Sequence, residues 1–164
     1  MKRFTALYFL FLALLFTLFY ANTSIISTLI NDGQTKLTLT FLKLFLEPGQ
    51  LQGIDIWIDP HYKIIINQAC NGMIPLLMLW AALLAYPASW LHKAAWMLVG
   101  YAVMIILNII RILMVVAVTM DHGQSAFYWI HDILGNALLM GGGLGVFILF
   151  IKSTSNKNSS YSST

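Results

Sequence analysis

The chain has 164 residues, of which 59% are apolar and 9% charged, with a formal net charge of +3. That balance lies far from a soluble globule and reads as a one-domain integral membrane protein. A single cysteine excludes a disulfide framework, a thiol-redox pair and a Cys-built zinc ribbon, and no basic run with interleaved aromatics supports a nucleic-acid partner.

Lys2 and Arg3 precede the apolar run of residues 4–21, FTALYFLFLALLFTLFYA. The run is longer than a signal-peptide core, and Phe19 before Ala21 spoils an A-x-A cleavage site, so it is read as an uncleaved anchor. An external segment, 22–69, follows. In KLTLTFLKLFLE, Lys36, Thr40, Lys43 and Glu47 recur at helical spacing opposite Leu37, Phe41, Leu42 and Phe45, which predicts a helix lying on the outer membrane surface. Beyond Pro48-Gly49, Ile54, Ile56 and Ile58 alternate with Asp55, Trp57 and Asp59, and a turn at Asp59-Pro60-His61 leads into YKIIIN. The pattern is that of a small β-hairpin, with a short amphipathic excursion as the alternative.

Further spans are predicted over about 70–88, 94–118 and 133–151, which makes the fold class an all-α membrane protein built as a four-helix transmembrane bundle. Residues 1–151 form one membrane domain, and 152–164, KSTSNKNSSYSST, a disordered tail. With the amino terminus inside, Lys2, Arg3, Lys93, Lys152 and Lys157 are all cytoplasmic with no acid among them. The six acids, Asp32, Glu47, Asp55, Asp59, Asp121 and Asp132, then lie outside with Lys36, Lys43 and Lys63. This sets a multi-pass protein of the cell (inner) membrane with both termini cytoplasmic. Gly141, Gly142, Gly143 and Gly145 lie mid-span without the setting of a nucleotide loop, and are read as close-packing positions.

Three costly or reactive side chains reach one depth. Arg111, inside the third span, costs about 2.5–3.5 kcal/mol on insertion scales and is a functional candidate. Counted from Ala94 at 1.5 Å per residue it lies about 26 Å along the helix, near the outer boundary. Cys70 opens the second span from that side, and His131 precedes the fourth. Each has a plainer reading: a packed thiol, a snorkelling arginine, an interfacial histidine. Together, a thiol, a base and a cation are what thiol acyl transfer needs. His92 falls on the inner side, while His61 and His122 are external and lesser candidates.

A helix amino terminus lowers a thiol's pKa, and Pro75, tolerated only in a first turn, places the helix start close to Gly72 or Met73. Amides around Asn71 and Gly72 offer an oxyanion site. Asn108, one turn before Arg111, either orients Arg111 or substrate, or bonds between helices. No metal site is expected beyond the loose group Asp121, His122, His131 and Asp132, and no cofactor. A non-catalytic assembly subunit and a purely hydrolytic intramembrane protease remain as alternatives.

A-C-N-G at the head of one span, N-I-I-R in the next and H-D-I-L-G at the head of the last resemble the exosortase/archaeosortase family of membrane cysteine transpeptidases, over about residues 60–145. The resemblance implies Cys70 as nucleophile, Arg111 as the essential arginine and His131 as acid/base, with Gly72, Asn108 and Gly135 as companions. It implies protein substrates ending in a short motif, a transmembrane helix and a basic cluster, cleaved on the external or periplasmic side and passed to water or to the amine of a lipid or glycan carrier. Many members carry extra amino-terminal spans, and this short chain is similar to the exosortase H type. The external hairpin is a candidate binder of the motif by strand addition.

Overall fold

The first helix, α1 (Lys2–Phe19), is aliphatic and aromatic beyond Lys2 and Arg3 except at Thr5 and Thr17, and it closes its backbone hydrogen bonds internally as an apolar surrounding demands. In the computed structural model, which describes residues 2–21 and 25–161, it is followed by α2 (Ile25–Leu42), a small sheet, α3 (Met73–Ala85), α4 (Trp90–His122), α5 (Gln124–Tyr128) and α6 (Gly135–Tyr161). Residues 22–24 of the expected external segment and 162–164 of the expected tail lie outside the described residues.

Among the described residues, three helical runs are long and apolar enough to cross a membrane: Lys2–Phe19, Trp90–His122 and Gln124–Ser155. The span expected at 70–88 is shorter than that. α3 has 13 residues, about 20 Å of rise against a bilayer core of about 30 Å. Both ends have a local cause. Gly72, at φ +76°, breaks the helical path before Met73, and Tyr86 is extended because Pro87 follows it. α4 is longer than the expected 94–118 and stops at Gly123, whose φ of +75° no helix continues.

α2 departs most from expectation. It occupies Ile25–Leu42 rather than the stretch around 36–47, and its buried face carries Ser27, Asn31, Gln34 and Thr38 above Leu42. Ile25, Leu29 and Phe41 face outward instead. Lys36, Thr40, Lys43 and Glu47 are exposed as expected, and the burial of the second polar stripe follows from where hydrogen-bond partners are. Asn31 Nδ2 donates to the Phe19 carbonyl at 2.7 Å, and the Tyr101 hydroxyl donates to Gln34 Oε1 at 2.9 Å. Buried polar side chains need such partners, and α2 turns inward the ones that find them.

The expected hairpin is present with one more short strand. β1 (Leu51–Gln52), β2 (Asp55–Asp59) and β3 (Tyr62–Ile65) form an antiparallel sheet in that order, with Ile56 opposite Ile64. Ile56, Ile64 and Ile66 are buried with Cys70, Ile109 and Ile112 of α4 in one apolar cluster. The alternation of strand side chains thus seats the sheet against the α4 face of Ile105, Ile109 and Ile112. A second cluster, with Leu76, Leu77, Leu83, Met104, Val146 and Phe150, joins α1, α3, α4 and α6. Within the glycine run, Gly142 lies against Leu107 of α4, where a β-carbon would collide. α6 continues as helix through the stretch read as a disordered tail, up to Tyr161. Ser153 and Thr154 return their hydroxyls to the Phe150 carbonyl, at 2.9 Å each, which satisfies them within the helix.

Candidate active site

The A-C-N-G run folds as a 3-10 turn, Gln68–Cys70, followed by left-handed Gly72. The Cys70 N–H donates to the Asn67 carbonyl at 2.9 Å, and that of Asn71 reaches Gln68 at 3.5 Å. Asn71 is fully buried and spends its whole amide on structure. Its Oδ1 accepts the Met73 N–H at 2.9 Å, capping the entry to α3, and its Nδ2 donates to Asn31 Oδ1 at 3.1 Å. Gln34 Nε2 holds the Asn71 carbonyl at 3.2 Å, and Asn108 Nδ2 holds that of Cys70 at 2.9 Å. The thiol therefore sits on a loop tied from both sides, by α2 and by α4.

The side chains of Asn71 and Asn108 both hold the loop, and for Asn108 this is the bonding between segments that stood as its alternative reading. Of the N–H groups from Cys70 to Met73, three are committed, and that of Gly72 is left among the described residues. Gly72 is required twice: by its φ, and by Asn108, whose Cγ would stand 3.0 Å from an added β-carbon.

Arg111 is 3% exposed. Its seat is Gly135, where a β-carbon would come within 2.8 Å of Nε and 2.9 Å of Cγ. Its Nη2 lies 3.1 Å from His131 Nε2 and donates to the His131 carbonyl at 3.4 Å. His131 and Asp132 belong to a π-helical turn, Trp129–Leu134, inserted between α5 and α6. Such turns recur at functional sites because one extra residue per turn re-aims the side chains. Here His131 Nε2 comes 3.7 Å from Cys70 Sγ, while Nδ1 lies 2.7 Å from Asp132 Oδ1. Phe127 stacks on the imidazole at 4.9 Å with an interplanar angle of 10°.

The partners select the tautomer of the neutral ring by their chemistry. A guanidinium only donates and a carboxylate only accepts, so neutral His131 carries its proton on Nδ1 toward Asp132 and offers the Nε2 lone pair to Arg111 or Cys70, while the protonated ring faces a Cys70 thiolate. Burial pushes the Cys70 thiol up. The His131 hydrogen bond and charge, a backbone bond at Asn67 and the Arg111 charge pull it down further, leaving it below the ordinary thiol value.

Cys70, Arg111 and His131 are thus brought together, and Gly72 and Gly135 make the room they need. Asp132 was missed as a partner of His131, having been weighed only within a loose metal group. Gln34, Asn31 and Tyr101 were missed as well. Their signal was available: Ser27, Asn31, Gln34 and Thr38 repeat at helical spacing. His61 donates its backbone N–H to Asp59, and His122 ends α4; neither touches the three among the described residues. No group of three His, Cys, Asp or Glu side chains among the described residues is placed to hold a metal ion.

A family model described as Transmembrane exosortase (Exosortase_EpsH) matches residues 1–150 of the chain. No curated protein and no solved structure matches it.

Proposed function

Since the chain belongs to the transmembrane exosortase family, we propose that it is a membrane cysteine protease and transpeptidase that cleaves a carboxy-terminal sorting signal through a thioester on Cys70. The observation that carries this reading is the sharing of one nitrogen, His131 Nε2, between the thiol at 3.7 Å and the buried guanidinium at 3.1 Å.

The shared nitrogen orders the steps. His131 Nε2 takes the Cys70 proton as the thiolate attacks the scissile carbonyl. Once protonated, Nε2 no longer accepts from Arg111, so Nη2 is released at the moment an oxyanion forms. Arg111 and the Gly72 N–H then supply the two donors for that oxyanion. Asp132 holds the ring and stabilises the positive charge it acquires, as the carboxylate of a catalytic triad does. His131 returns the proton to the leaving amine as the C–N bond breaks, leaving the acyl group on sulfur. It next deprotonates the acceptor, whose attack expels the thiolate and restores the site.

The substrates are exported proteins ending in a short motif, a transmembrane helix and a basic cytoplasmic cluster. The separation of Lys2, Arg3, Lys93 and Lys152 from all six acids supports termini inside and chemistry at the external or periplasmic side. The acceptor is water or the amine of a lipid or glycan carrier. The test is mass spectrometry of a co-expressed candidate substrate. A new carboxy terminus conjugated to an amine marks transfer, and a free acid marks hydrolysis. An uncut substrate that nonetheless copurifies with the chain would favour a non-catalytic assembly subunit.

A further inference from the structure

α3 and α6 leave a furrow between them. Two cavities, of about 250 and 200 Å³, share Pro75 and Met78 of α3 with Leu139 and Met140 of α6, and so form one channel open at its side. Its head is lined by Gly72 and Arg111. Its foot reaches Tyr8 of α1 and Phe147. Along α6 it runs from Asn136 to Phe147, about 16 Å or three helical turns. Met140 and Leu144 stand exposed on its lip, and Gly143 between them leaves its floor low.

The two ends ask for different chemistry in one ligand. At the head, Arg111 and Gly72 line the opening, and the Gly72 N–H is uncommitted among the described residues. Both donate, so the ligand must offer carbonyls there. Below, the walls are almost wholly carbon, and the floor glycine admits a backbone rather than only a side chain. A peptide that passes into an apolar helix meets both demands, and the furrow begins at the residues that would hold the oxyanion.

We infer that this furrow seats the transmembrane helix of the substrate, so that the peptide bond above the helix is delivered to Cys70. The inference rests on the cysteine transpeptidase reading. The seat makes cleavage depend on the distance between the scissile bond and the start of the apolar helix, because the helix fixes the depth.

Because Cys70 is the one cysteine of the chain, Cys70→Ala gives a background in which single cysteines can be added. The probe is a co-expressed protein from the same proteome that ends in a short motif, an apolar helix of about 20 residues and a basic cluster. Single cysteines are scanned along its helix against Met140→Cys and Leu144→Cys on the lip, and Leu149→Cys on a different exposed face of α6. Cross-links to 140 and 144 that recur with helical period, and are weak at 149, are the expected result. Equal cross-linking at 149, or labelling of the 140 variant by a photoactivatable phospholipid that the probe does not displace, would overturn the inference in favour of a lipid-filled furrow. If plain Cys70→Ala still processes the probe, the catalytic reading fails. If it is inactive and the lip cross-links are absent, the furrow alone fails.

Discussion

Each end of the bundle sets a histidine Nε2 against a small nucleophilic side chain. At one end His131 faces Cys70 at 3.7 Å; at the other His92 faces Ser153 at 3.0 Å. The second contact is the shorter, yet it has none of the chemistry. Ser153 already donates to the Phe150 carbonyl, and His92 stacks on the Phe150 ring. No carboxylate holds the other nitrogen of His92 and no guanidinium faces it among the described residues. At the Cys70 end, Asp132 fixes the ring, Arg111 waits on the reacting nitrogen, and the backbone amides are already sorted into used and unused. Proximity of a base and a nucleophile is thus common in a packed helical protein. What makes a site is the third and fourth group, and the burial that makes them matter.

The comparison breaks most sharply with paired substitutions. Cys70→Ala should lower processing of a co-expressed substrate by roughly 10³-fold or more, and Ser153→Ala should leave it unchanged; a gel of precursor and product reads both. Asp132→Asn comes next, because the amide no longer selects the Nδ1–H tautomer or balances the imidazolium. A loss of about 10²–10⁴-fold in turnover is expected, with substrate capture preserved. Gly135→Ala should cost about 10²-fold, since its β-carbon would occupy the Arg111 seat; wild-type membrane yield with lost turnover would separate this from misfolding.

The smallest effect concerns pH. Because the Cys70 value lies below that of an ordinary thiol, its thiolate persists below the usual thiol range and is lost as pH falls through the folded value. Alkylation of Cys70 by iodoacetamide should therefore show a lower midpoint in the wild type than in His131→Ala, where the hydrogen bond and charge are removed. Equal midpoints would separate the thiol from the imidazole.

The three reactive residues were legible because an apolar chain makes them conspicuous: one thiol, one arginine within a span, one histidine at a span's edge. Their depth could be counted, but their meeting could not, since it depends on packing of α3, α4 and α6. Asp132 was illegible for a more specific reason. Adjacent residues on an ordinary helix point about 100° apart, and hydropathy carries no sign of the π-turn that re-aims this pair. In α2 the outward face of Lys36 and Thr40 was read from the pattern, but the buried polar stripe of Ser27, Asn31, Gln34 and Thr38 was not. Asn31 and Gln34 bond to groups remote in sequence, Phe19, Asn71 and Tyr101. The short α3 was announced by Gly72 and Pro87 at its two ends, although hydropathy alone ran the span past both. The sheet followed from simple alternation, and the same alternation packs it against the isoleucine face of α4.

The central claim is that Cys70 carries the acyl group. With the acceptor depleted, the membrane fraction can be digested and the peptide containing Cys70 weighed by mass spectrometry. The account predicts the amino-terminal part of a co-expressed substrate attached to Cys70 as an acyl adduct that hydroxylamine releases, and no such adduct at Ser153. Processing that continues with Cys70 unmodified, and equally in Cys70→Ala, would contradict it.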